Sequence, residues 1–178
     1  KWRIPYRLAP ATNWGQVFYN HRLTQRRSQS AKPEFEYNLD LARAFLRDHK
    51  LPVVEPRTPY LSFEQSAVEI QRKFLCDQLR IDTSKKWIFL HSGSGGSANN
   101  LSLTQYAQLI RGVLHHFDAY VILTAGPTES EKAHELAELV QDSRVVIYDK
   151  NKGLVDFALS LACADVFIAG STGPLHLS

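Results

Sequence analysis

The chain has 178 residues, of which 44% are hydrophobic and 22% charged, and its formal net charge is +3. This composition is typical of a soluble globular protein with an apolar core, and no apolar run approaches the roughly 20 residues of a membrane-spanning helix. The chain begins at Lys1 and contains no methionine or signal peptide, so we expect it to be part of a longer protein. Cys76 and Cys163 lack metal-ligand spacing, which favours buried, reduced thiols in a cytoplasmic protein.

Positive charge is concentrated at the start of the chain. Residues 1–33 contain no acid and seven basic side chains, namely Lys1, Arg3, Arg7, Arg22, Arg26, Arg27 and Lys32. This pattern favours either an anionic partner (a phosphorylated glycan, an anionic lipid surface or nucleic acid) or a solvated loop. Within the segment, residues 4–8 are predicted to form a strand, and Trp14, Val17, Phe18 and Tyr19 a partly buried loop.

Helical spacing of apolar residues begins at Glu34 and predicts a helix that ends near His49. Residues 51–59 contain three prolines, which exclude a regular helix and predict an extended connector. We therefore place a domain boundary here, between 1–60 and 61–178. The next predicted helix runs to about residue 79, with a capping box at Ser62 and Gln65 and a buried face that includes Ala67, Ile70 and Phe74.

Strands and helices alternate in the rest of the chain. Strands are predicted at 87–91, 120–124, 145–148 and 166–169, and helices at 103–117, 129–141 (with a capping box at Thr128 and Glu131) and 154–164. Continuous apolar strands joined by helices predict an α/β fold, a Rossmann-like doubly wound parallel sheet covered on both faces. Because the chain ends soon after the last strand, we expect this domain to be incomplete.

Each predicted strand is followed by a polar loop that contains glycine, at 92–100, 125–129, 149–153 and 170–176. Ligands of parallel sheets bind beyond the carboxyl ends of the strands, so these loops predict one binding edge. The Gly93–Asn100 loop suits close approach by a pyrophosphate, and residues 93–98 also satisfy the dinucleotide pattern G-x-G-x-x-G/A. The acid that a dinucleotide site needs after the second strand is missing.

The last loop favours an anion site, because Ser171, Thr172 and Gly173 offer hydroxyls and backbone N–H groups before Pro174. His176 follows Thr172 by roughly one helical turn, so it is a candidate for the same site. Glu129 has two interpretations, a ligand for ribose hydroxyls or a charge that complements a helix N-terminus.

Among the other histidines, His91 is interpreted as a packed core residue, and His115 and His116 as surface residues at the end of a helix. No spacing indicates a metal site or a Ser/His/Asp nucleophile.

Three stretches, residues 87–100, Thr124–Glu129 and Ala164–His176, resemble the donor-binding domain of glycosyltransferase family 9, the bacterial lipopolysaccharide heptosyltransferases. Residues 1–60 resemble the end of that family's acceptor domain and its connector. The resemblance implies the GT-B arrangement of two Rossmann-like domains, and an inverting, metal-independent transfer of heptose from ADP-heptose to the lipopolysaccharide inner core. It implies no cofactor besides the nucleotide-sugar donor, an anionic lipid-linked glycan as acceptor, no nucleic acid, and a cytoplasmic location with peripheral association at the inner membrane.

The resemblance also assigns the donor contacts. Phosphate or sugar would meet Ser94, Gly95, Gly96 and Ser97. Glu129 would hold the ribose, and Lys152 to Leu154 would border the adenine. The diphosphate would meet Ser171, Thr172, Gly173 and His176, and His176 would stabilise the charge of the leaving group.

This chain departs from the family at Asn99 and Asn100, which stand where many members have a lysine. The family's catalytic base belongs to the part of its first domain that would precede Lys1, so we expect this chain to bind donor without turnover. The alternatives are another nucleotide-sugar transferase, a GT-B sugar-nucleotide epimerase, an NAD-dependent oxidoreductase and a non-catalytic nucleotide-binding module.

Overall fold

The structure is a computed structural model that describes residues 4–12, 14–93, 100–126, 128–170 and 173–178, with only the backbone of His176. The chain separates into two compact units, Lys1–Tyr60 and Leu61–Ser178. The division between these units lies directly after the proline-rich connector 51–59, at the boundary expected from the sequence. The acceptor-side and donor-side roles of the two parts remain predictions.

The first unit contains two short parallel strands, β1 (Leu8–Pro10) and β2 (His21–Leu23), and the helix α1 (Glu34–Asp48). The predicted strand at 4–8 was placed too early. The side chain of Asn20 donates to the carbonyl of Pro5 at 2.7 Å and accepts from the backbone N–H of Arg7 at 2.8 Å. A side chain therefore satisfies the backbone groups that a longer strand would have paired.

The segment between these strands forms a short 3₁₀ helix, Trp14–Phe18, rather than a partly buried loop. Trp14 is 81% exposed and Phe18 is 63% exposed. Their rings pack edge to face at 6.2 Å instead of entering a core. The first unit thus presents an aromatic pair to solvent.

Part of the predicted basic cluster is neutralised by α1. Arg27 pairs with Glu34, and Lys32 pairs with Asp40. The exposed side chains of Arg7, Arg22 and Arg26 form no ion pair with any described carboxylate. Among the described residues of this segment, the excess positive charge therefore lies on these three arginines.

The second unit is a four-stranded parallel sheet with helices on both faces. In chain order its elements are α2 (Gln65–Leu79), β3 (Lys86–His91), α3 (Leu103–His116), β4 (Ala119–Thr124), α4 (Ser130–Val140), β5 (Val145–Tyr148), α5 (Leu154–Leu161), β6 (Val166–Ala169) and a 3₁₀ helix, Gly173–His176. The strand order is β5-β4-β3-β6, with Leu90 opposite both Leu123 and Ile168. The α/β fold and the parallel sheet are therefore confirmed.

Side chains of successive strand residues enter two cores. On one face Leu90, Val121 and Leu123 pack with α3 and α4. On the other face Trp87 and Phe89 pack with α2 and α5. The continuous apolar runs of β3 and β4 follow from this burial on both sides.

Edge position explains why β6 differs from its prediction. Its pattern suggested burial on both faces, but Val166 is 49% exposed and the other three residues are only partly buried. Within the described residues β6 pairs with β3 alone, so one of its edges carries no strand.

Two helix starts also differ from their predictions. In α2 the cap is Glu64, because the Glu64 carbonyl accepts the first helical bonds from Ala67 and Val68, so Ser62 lies two residues upstream. In α4 the cap is Glu129 rather than Thr128, because a turn from Gly126 to Glu129 precedes the helix. Neither side chain accepts a capping hydrogen bond from the first turn of its own helix, whereas a complete capping box occurs at Ser102 and Gln105 of α3.

The buried face of α2 was predicted about one residue out of register. Ile70 is 71% exposed and Phe74 is 40% exposed, whereas Gln71 and Leu75 are buried. Gln71 donates to Ser160 of α5 at 2.8 Å. This contact places Gln71 on the buried side of α2, in place of the neighbouring Ile70. The helix α5 ends at Leu161 rather than 164, because the chain tightens into i→i−3 bonds over 160–164.

Candidate functional site

Strand order places a switch point between β3 and β6. The chain proceeds from β3 through β4 to β5 in one direction and then returns to place β6 on the other side of β3. Ligands of open parallel sheets bind at such a point, beyond the carboxyl ends of the strands. Asn100 lies here: its Oδ1 is 3.4 Å from where a Cβ on Gly170 would stand. The described ends of the two predicted phosphate loops therefore meet at the switch point.

A pocket of about 460 Å³ opens at the same edge of the sheet, beyond β3 and β4. Its lining includes Gly93 and Asn100 from the loop after β3, Tyr106 from α3, and Glu129 and Lys132 from the start of α4. The pocket therefore combines backbone, amide, phenol and charged groups, a set that suits a polar ligand.

Glu129 holds its carboxylate against the loop after β3. Its Oε2 lies 3.5 Å from Nε2 of His91, and its side chain is 17% exposed. A Cβ added to Gly93 would lie 2.0 Å from this same oxygen, so only glycine leaves room for the carboxylate. The turn that precedes α4 sets this geometry, because the Glu129 backbone N–H donates to Gly126 at 3.0 Å.

His91 is the last residue of β3 and is 5% exposed. Its Nδ1 lies 3.0 Å from Oγ1 of Thr124, the last residue of β4. Burial lowers the pKa of His91, although the neighbouring Glu129 acts in the opposite direction. The interpretation of His91 as a packed, hydrogen-bonded core residue is confirmed, but its contact with Glu129 was not foreseen.

Asn100 closes the base of the first loop. Its Nδ2 donates to the carbonyl of Ser92 at 2.5 Å, and its Oδ1 accepts from the Leu101 backbone N–H at 3.1 Å and from the Tyr106 hydroxyl. The sequence singled out this position only for the lysine it lacks. The structure shows an amide that joins the end of β3 to α3.

A second carboxylate lies at the end of β5. Asp149 accepts a hydrogen bond from Ser130 of α4, and its Oδ2 lies 3.4 Å from Nε2 of His134. The bond from Ser130 is the main cause that lowers the pKa of Asp149, so this side chain is ionised at neutral pH. Sequence reasoning missed it, although an acid directly after a strand of a parallel sheet was an available signal.

The predicted adenine-bordering residues lie in the turn before α5. The Lys152 backbone N–H donates to Asp156 at 3.0 Å, and its ammonium lies 5.5 Å from the centre of the Phe74 ring. Leu154 begins α5 and is 67% exposed. A hydrogen bond to Asp156 therefore stabilises the turn, and Leu154 exposes an aliphatic side chain next to it.

Several predicted contacts lie outside the described residues: Ser94, Gly95, Gly96, Ser97, Ser171 and Thr172. Of His176 only the backbone is described, in the 3₁₀ helix that begins at the exposed Gly173. The binding roles given to all of these residues remain predictions.

The described residues contain neither a candidate metal site nor a candidate membrane span. No group of three or more His, Cys, Asp or Glu side chains there is placed to hold a metal ion. Across the same ranges, none of the helices has the length and apolar character needed to cross a bilayer.

The chain is similar to known proteins both in sequence and in structure. The chain is 72% identical over 175 residues to a Haemophilus influenzae (strain Rd KW20) protein named "Putative glycosyltransferase". It superimposes with a TM-score of 0.65 and 16% identity on E. coli ADP-heptose lipopolysaccharide heptosyltransferase II, and with 0.68 and 12% on a family 9 glycosyltransferase from Veillonella parvula. No family model matches the chain.

The alignments include nearly all of this chain but only about half of each similar protein. The Haemophilus alignment covers 98% of this chain and 51% of the relative, so the chain spans about half of that protein. The structural matches cover 98% and 97% of this chain, and 53% and 47% of the neighbours. The GT-B type of fold is therefore confirmed, and the chain shares it with two glycosyltransferases, one of them named a family 9 protein.

Proposed function

We propose that this chain contains the donor-binding domain of a family 9 glycosyltransferase, which transfers a heptose from ADP-heptose to the lipopolysaccharide inner core. We propose inversion at the sugar and independence from metal ions as part of the same reaction. The observation that carries the proposal is the 72% identity to the Haemophilus protein over nearly the whole chain. The fold shared with an E. coli heptosyltransferase supports heptose as the sugar.

The geometry at the switch point is compatible with a nucleotide. Glu129 presents a carboxylate at the 460 Å³ pocket, and carboxylates accept hydrogen bonds from vicinal ribose hydroxyls. The exposed Leu154 is the first residue of α5, directly after the turn that follows β5, where the adenine would rest. In this orientation the ribose lies over β4 and the diphosphate extends toward the loops after β3 and β6.

The chemistry needs stabilisation of the departing diphosphate. When the acceptor oxygen attacks the anomeric carbon, the bond to the diphosphate oxygen breaks and negative charge develops on ADP. Backbone N–H groups of the loops at 93–100 and 170–176, together with His176, are the proposed donors to that charge.

The first unit is the proposed acceptor side. Exposed Arg7, Arg22 and Arg26 accompany the exposed aromatic pair Trp14 and Phe18. Guanidinium groups bind phosphates and carboxylates, and tryptophan favours the interface of a bilayer. This combination supports an anionic lipid-linked glycan as acceptor and peripheral contact with the membrane that carries it.

Titration calorimetry of ADP, UDP and NAD on the complete natural protein tests the proposal, with His176→Ala beside the wild type. We expect ADP to bind most tightly and the variant to bind it more weakly. A preference for UDP would retain the transferase but exclude ADP-heptose, and binding of NAD alone would overturn the assignment. Transfer assays with EDTA test metal independence, which full loss of activity would contradict.

A further inference from the structure

We infer that His91 is a positioning residue: its imidazole, oriented by Thr124, holds the carboxylate of Glu129 in the orientation that receives the donor ribose. The inference rests on the proposed function, because it concerns the side chain that the proposal assigns to the ribose. His91 lies beneath the site, with 5% of its surface exposed, and acts through Glu129 rather than on the nucleotide.

The three side chains form a line across the ends of two strands. Thr124 Oγ1 lies 3.0 Å from Nδ1 of His91, and Nε2 of the same ring lies 3.5 Å from Oε2 of Glu129. Residues His91 and Thr124 are paired in the register of β3 and β4, so the sheet itself fixes this first contact. The ring is also confined by Phe157, whose centre is 6.5 Å away.

Hydrogen-bond chemistry selects one tautomer of the neutral ring. The Glu129 carboxylate only accepts, so the ring nitrogen that faces it must carry the proton. The proton therefore sits on Nε2, which leaves Nδ1 to accept from the Thr124 hydroxyl. The Thr124 hydroxyl, which can donate as well as accept, lies within hydrogen-bond distance of the nitrogen that this tautomer leaves unprotonated and so orients the ring.

Gly93 limits the carboxylate from the other side. The space of a Cβ at this position is filled by Glu129, with both carboxylate oxygens within 2.4 Å of where that atom would stand. A glutamate has three rotatable bonds, and fixing them before the ligand arrives removes an entropic cost from binding. His91 and Gly93 together leave the carboxylate few alternative positions.

Ribose discrimination provides the test. The complete natural protein would be titrated with ADP and with 2′,3′-dideoxy-ADP, which lacks both hydroxyls, for the wild type and for Glu129→Ala, His91→Leu and His91→Gln. The control is His116→Leu, an exposed histidine at the far end of α3. Thermal unfolding of each variant separates misfolding from a loss of recognition.

We expect the wild type to prefer ADP by about tenfold or more, the value of one charge-assisted hydrogen bond. Glu129→Ala and His91→Leu should both abolish this preference, whereas His116→Leu should retain it. His91→Gln should restore most of the preference, because its amide N–H reaches the place of the imidazole Nε2. Equal binding of both nucleotides by the wild type would overturn the ribose contact of the proposed function. A preference that needs Glu129 but survives in His91→Leu would overturn the inference alone.

The tautomer gives a second readout that does not depend on a folded His91→Leu. Nitrogen-15 NMR of the histidine rings distinguishes a proton on Nε2 from one on Nδ1, and Thr124→Val removes the hydroxyl with little change of shape. We expect His91 to carry its proton on Nε2 in the wild type, and Thr124→Val to keep that tautomer but to lose part of the ribose discrimination, because the ring loses the contact that orients it. A wild-type ring protonated on Nδ1 would exclude donation to Glu129.

Discussion

The carboxylate of Glu129 occupies the space in which a side chain on residue 93 would begin. A Cβ there would lie 2.0 Å from Oε2, far inside the contact distance of real atoms. The first glycine of the loop after β3 is therefore required by a side chain from the loop after β4. This relationship ties the loop predicted to meet phosphate to the residue predicted to meet ribose.

Gly93→Ala should leave the protein folded but displace Glu129. The atoms in the way belong to the end of a flexible side chain, which can rotate aside, so we expect unfolding temperatures within a few degrees of the wild type. Affinity for ADP should fall by about tenfold, while affinity for dideoxy-ADP changes little. Gly126→Ala is the matched control, since its Cβ would meet the same oxygen at an ordinary 3.4 Å. Equal losses in both variants would contradict the steric explanation.

The spacing of apolar residues was sufficient to predict the strands of the sheet. It was insufficient to predict which residues are buried where burial depends on contacts with distant parts of the chain. The strand at 145–148 was predicted at its observed bounds, because a run of four apolar residues between polar loops is typical of a short buried strand. The exposure of Ile70 was missed, because the register of α2 follows a bond from Gln71 to Ser160, 89 residues away. No local pattern reports such a contact.

In the candidate site, too, the position of the loops was predictable from the sequence, whereas the contacts between side chains were not. Loops at the carboxyl ends of parallel strands converge by topology, so their meeting was predictable. The contact of His91 with Glu129 depends on side-chain rotamers and on a turn at Gly126, neither of which a single sequence reports. The amide of Asn100 was seen only as a missing lysine, because its partners, Ser92 and Tyr106, become neighbours only after folding.

Asn100→Asp should destabilise the base of the first loop. The substitution replaces the Nδ2 donor to Ser92 with an oxygen that faces a carbonyl, at a present distance of 2.5 Å. We expect a loss of about 1 kcal/mol in the free energy of unfolding, with weaker ADP binding. Asn151→Asp is the control, because Asn151 accepts from the Gly153 backbone through its oxygen, which aspartate keeps. Equal stability of the two variants would show that the Ser92 bond contributes nothing.

Cys163 should resist alkylation in the native protein. Burial raises its pKa to about 11, the side chain is 3% exposed, and the thiol is the unreactive, protonated form at pH 8. Cys76 is less buried and should react first. Peptide mapping by mass spectrometry after iodoacetamide treatment, with and without urea, measures both rates. Modification of Cys163 as fast as in urea would show that this core opens readily.

Tyr148 should make stability depend on alkaline pH. Its hydroxyl donates to Asp156 at 2.8 Å and lies 2.9 Å from Ser160, in a buried network that joins β5 to α5. Burial is the main cause that raises its pKa to about 12, above the value of about 10 expected in the unfolded chain. The phenol therefore contributes fully below about pH 10, and its contribution is lost as the pH rises through 12.

Tyr148→Phe should cost about 1 to 2 kcal/mol at pH 7, because Asp156 loses a charge-assisted bond. The difference between wild type and variant should shrink from pH 9 to pH 12, since the wild-type tyrosine ionises and the variant has nothing to lose. Urea unfolding at several pH values measures this difference. Tyr120→Phe controls for loss of a phenol–carboxylate bond at an exposed site, where Tyr120 donates to Asp82 at 3.2 Å. A difference for Tyr148→Phe that stays constant to pH 12 would mean that the buried network does not hold the phenol in its protonated form.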